Sequence, residues 1–102
     1  SGVEISADVT VRLSVIKGVN IETPMLENDD ICGVICSHEE IEKAVFNAVR
    51  ITNEIMQKEL GLSFNDAGML ISAVGDLRFC QVVDPERTVM MCIPKNILSK
   101  LF

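Results

Sequence analysis

The sequence predicts an α+β fold, an antiparallel or mixed sheet of about five strands packed against one long and one short helix. Three observations predict it. Residues 3–15 alternate apolar and polar with period two, residues 41–56 repeat their apolar positions at helical spacing, and like elements follow one another in runs (β-β-β-α-α-β-β-α) instead of alternating. At 102 residues the chain has room for one domain, 1–102, and no internal repeat, linker or low-complexity stretch divides it.

Val3, Ile5, Ala7, Val9, Val11, Leu13 and Val15 fall on one face of the first predicted strand, with Glu4, Ser6, Asp8, Thr10, Arg12 and Ser14 on the other. Lys17-Gly18-Val19-Asn20 reads as a turn, and a short strand over 19–23 should end at Pro24, which has no N–H for a ladder. A third strand, over 31–36, is apolar enough to be buried on both faces. Ser37 with Glu40 three residues later spells a capping box for the long helix, whose face carries Ile41, Ala44, Val45, Ala48, Ile51, Ile55 and Met56, and Gly61 closes it. Ser63 or Asn65 can cap the short helix, which runs to Gly75 with so little charge that it should be covered on most sides. Strands over 77–83 and 88–93 flank an Asp84-Pro85-Glu86-Arg87 turn, and Pro94 can open a last helical turn.

Apolar residues are 48% and charged residues 24% of the chain, ordinary for a globular protein. No apolar run approaches a membrane span, and no charged start leads into a secretion signal, so neither a transmembrane nor a newly secreted chain is predicted. A net charge of −6, with Lys and Arg scattered, argues against nucleic acid and against an anionic membrane as partners. Four cysteines in a chain with ample Val, Ile, Leu and Met predict free thiols in a reducing, cytoplasmic setting, Cys80 and Cys92 among them as small core hydrophobes.

Few residues invite chemistry. Glu27-Asn28-Asp29-Asp30 is acidic but lacks the Gly and terminal Glu of a calcium loop. Cys32, Cys36 and His38 share a strand face by parity, yet the thiols are three residues apart in place of two and a fourth zinc ligand is missing nearby. Cys36 beside His38 could serve nucleophilic catalysis only if the thiol left the core. No glycine-rich phosphate loop occurs. The unusual segment is residues 73–85, which sets Asp76, Arg78 and Gln81 in apolar surroundings, where polar groups need partners. Capping and turn roles for Asp76, Gln81 and Asp84 stand beside a role in a site.

Several of these segments carry a resemblance: Val9-Thr10-Val11-Arg12-Leu13 leading to Ile16-Lys17-Gly18, then Glu22-Thr23-Pro24, Ser72-Ala73-Val74-Gly75-Asp76-Leu77-Arg78, Gln81-Val82-Val83-Asp84-Pro85 and Ile93-Pro94. Together they make the chain resemble the C-terminal part of the acetamidase/formamidase family of amide hydrolases, the stretch from Gly75 to Pro85 being the most specific. The resemblance implies hydrolysis of small amides such as formamide or acetamide to a carboxylate and ammonia, with a divalent metal, zinc foremost, activating water or polarising the carbonyl. It implies a homo-oligomeric cytoplasmic enzyme, considerably longer than this chain, whose metal ligands lie upstream, so no metal ligand or cofactor is expected within these residues and the chain alone is expected to be inactive.

Three readings follow. The chain is the C-terminal part of an amide hydrolase, mainly scaffold, with Asp76, Gln81 and Glu22 as candidate rim residues of the site. Alternatively it is a non-catalytic α+β interaction or oligomerisation module. In a third reading Ser1, standing where Met is usual, is the exposed nucleophile of an autoprocessed hydrolase, although a processing or cleavage boundary explains it too. Both the long first strand and the uncharged short helix predict a covering partner, either the upstream part of the same enzyme or a second protomer.

Overall fold

Two apolar segments far apart in sequence build the centre of the sheet. In a computed structural model, which describes residues 3–102, the elements are β1 (Met25–Glu27), β2 (Ile31–His38), α1 (Ile41–Leu60), α2 (Phe64–Val74), β3 (Asp76–Gln81) and β4 (Arg87–Pro94). The sheet order is β1-β2-β4-β3 and every pairing is antiparallel. In the central ladder Cys32 lies opposite Ile93, Val34 opposite Met91 and Cys36 opposite Val89, and all six side chains are buried. Because side chains alternate across a strand, Gly33, Ile35 and Ser37, opposite Cys92, Met90 and Thr88, form the other face.

The helices cover the first face. α1 brings Ala44, Ala48, Ile51 and Met56 onto it, the two alanines letting the helix axis approach closely, and α2 adds Ala67 and Ile71. Leu98 and Leu101 close the core from the C-terminal end. Gly61 ends α1 at φ 66°, a left-handed conformation that favours glycine. Ser63 is the residue that caps α2: its Oγ accepts the Asp66 N–H at 3.1 Å.

The α+β class, the long and short helices and the β3–β4 hairpin agree with the sequence reading; the strands among the described residues number four where about five were expected. Residues 3–24 belong to no strand, and β1 begins just after Pro24. Period-two alternation makes a strand only when a neighbour supplies hydrogen bonds, and residues 3–15 find no such neighbour among the described residues: Val9 and Leu13 are 79% and 89% exposed. The capping box does not form either. Ser37 is held in the central ladder, its hydroxyl 2.8 Å from that of Thr88, so Glu40 becomes the N-cap without a side-chain bond, and His38 Nδ1 accepts the Glu40 N–H at 2.9 Å. The last helical turn reduces to bonds from the Ile97 and Leu98 N–H groups to the Pro94 carbonyl. α2 is covered on one face only, leaving Phe64 and Met69 exposed, and Cys80 is exposed because β3 is an outer strand. Ser1 lies outside the described residues.

Candidate functional site

The three candidate rim residues are each held by local bonds, and the fold does not gather them. Asp76 opens β3 and accepts a hydrogen bond from Arg78 Nε at 2.9 Å. Gln81 closes the same strand: its Oε1 accepts the Val83 and Asp84 N–H groups at 3.1 and 2.9 Å, and its Nε2 donates to the Glu86 carbonyl. It therefore shapes the turn that contains Asp84 and Pro85. Glu22 stands on the helix side, ion-paired with Arg50 of α1, which also holds Glu54 at 3.1 Å. These two carboxylates keep the Arg50 guanidinium pKa above its ordinary value, the hydrogen bond it donates to Glu22 foremost.

Glu22 lines a cleft of about 300 Å³ between residues 18–22, α1 and the C-terminal end. Its walls are apolar at Met25, Ile51, Ile55, Leu101 and Phe102, with Glu22, Glu54 and Lys58 as charged groups. Periodicity gave no hint of this cleft, because its walls come from segments some thirty and eighty residues apart.

The donors present do not fit a metal centre. Cys32, Cys36 and His38 do share strand parity, but from 32 to 38 the strand runs about 20 Å. The Cys32 thiol donates to the Leu98 carbonyl at 3.2 Å, Cys36 contacts Thr23 Oγ1 at 3.8 Å, and His38 has one ring nitrogen occupied by Glu40. Among the described residues no three His, Cys, Asp or Glu side chains come together as ligands.

Burial raises the pKa of the Cys32, Cys36 and Cys92 thiols; Glu27 adds to this at Cys32, whereas the Thr23 hydrogen bond opposes it at Cys36 and the Arg78 charge opposes it at Cys92. The folded state thus holds these protons more tightly than the unfolded chain does. Stability from this source is fully present below the unfolded thiol value of about 8.5 and is lost as pH rises through it toward the folded values. Under reducing conditions the Tm is expected to be level from neutral pH to about 8 and to fall above about 8.5; a rise there would contradict the burial. In the same protein a thiol reagent should modify Cys80 alone in the native state and all four cysteines in denaturant.

The unit so built, two helices on one face of a four-stranded antiparallel sheet, has the architecture of part of solved acetamidase structures. The recombinant predicted acetamidase/formamidase from the thermophile Thermoanaerobacter tengcongensis matches with a TM-score of 0.78 and 34% identity, over 84% of this chain and 29% of that one. Acetamidase from Bacillus halodurans matches with a TM-score of 0.71 and 31% identity (76% of this chain, 26% of that one), and acetamidase from Yersinia enterocolitica with 0.77 and 30% (83% and 26%). The chain belongs to the acetamidase/formamidase family. It spans under a third of the length of these structures. No family model matches the sequence, and no curated protein matches it. Among the described residues no helix is long and apolar enough to cross a membrane.

Proposed function

We propose that the chain is the C-terminal part of a cytoplasmic amide hydrolase that converts an amide and water to a carboxylate and ammonia, with formamide- or acetamide-like substrates. Its share of the work is scaffold and rim, and the metal centre is held by the family length that this chain does not span. The observation that carries this reading is the fold match at 30–34% identity over more than three-quarters of the chain. Two further points support it. The donor set here is unsuited to a metal, and the exposed apolar side chains of residues 3–15, Phe64 and Met69 await a covering surface. Singly buried thiols suit a reducing compartment.

The test is to co-express this chain with a polypeptide supplying the remaining family length and to measure ammonia release from formamide and acetamide. Release is expected from the purified complex and none from this chain alone. Equal release from the chain alone, or a stable metal-loaded complex silent on both amides, would sink the reading. Within an active complex, Glu22→Ala, Asp76→Ala and Gln81→Ala test the rim: a residue that touches substrate through one hydrogen bond should lower kcat/KM by about tenfold, chiefly through KM.

A further inference from the structure

We draw no further inference here: the strongest candidate, the cleft between residues 18–22, α1 and the C-terminal end, has apolar walls and two carboxylates, Glu22 and Glu54, already paired with Arg50, and nothing in the structure shows what fills or covers it.

Discussion

Ile93→Ala is expected to lower the unfolding free energy by about 3 kcal/mol. Ile93 is fully buried in the central ladder opposite Cys32, on the face covered by the helices. Truncation removes its transfer free energy and leaves a cavity, because the surrounding strands are pinned by their ladder and cannot close on the gap. A domain of this size has a total stability of about 5–15 kcal/mol, so the loss is a large part of it. Urea unfolding followed by circular dichroism should show a lower midpoint with an unchanged slope, and the Tm should fall by roughly 12–24 °C. A loss below about 1 kcal/mol would mean that the core refills the space.

The second large effect is at Gly75→Ala, and its cause is steric. Gly75 turns α2 into β3 with φ −69°, a backbone conformation open to any residue. Space is what alanine lacks: a Cβ there would lie 2.5 Å from the Ile71 carbonyl oxygen, which the Gly75 N–H already holds at 2.7 Å, and 3.1 Å from Met91 Sδ. The sulfur can swing aside; the carbonyl is fixed in the last turn of α2. A cost of about 1–3 kcal/mol is expected. Gly68→Ala is the matched control, since a Cβ there meets only Asn53 Nδ2 at 3.7 Å. Inside a helix that change should stabilise, by up to about 1 kcal/mol. Equal effects at the two positions in the same urea experiment would refute the steric account.

What the sequence made legible follows from the range of the forces involved. The repeat from Ile41 to Met56 could be read because helical hydrogen bonds are local and the covered face needs only spacing to declare itself. The Ser63 cap and the Gly61 stop are equally local. Strand pairing is a long-range matter, and there the reading failed in two instructive ways. Residues 3–15 have the pattern of a strand without a partner among the described residues. Ser37 has the pattern of a cap, but its hydroxyl answers to Thr88, fifty-one residues on. Exposure on β3 could not be foreseen for the same reason: Asp76 and Cys80 sit in an apolar stretch, yet the sheet order makes it an edge.

The candidate site was less legible than the fold. Gly75-Asp76-Leu77-Arg78 and the Asp84-Pro85 turn drew attention as a sequence pattern, and in the structure those polar groups satisfy one another: Asp76 with Arg78, Gln81 with the backbone of the turn. The place of Glu22 on the wall of a cleft depends on packing between residues 18–22 and α1 that no periodicity encodes.

The sheet order also dictates when this molecule can fold during synthesis. Within this sheet β2 is made after the three-residue β1, and its main partner β4 begins at Arg87, forty-nine residues after β2 ends. Until then the helices have half a sheet to lie on and the inner edge of β2 stands open. Closing so long a loop is slow, and an open apolar edge can meet other chains in the meantime. Translation speed through residues 60–94 should therefore govern how much of the newborn protein matures and how much aggregates.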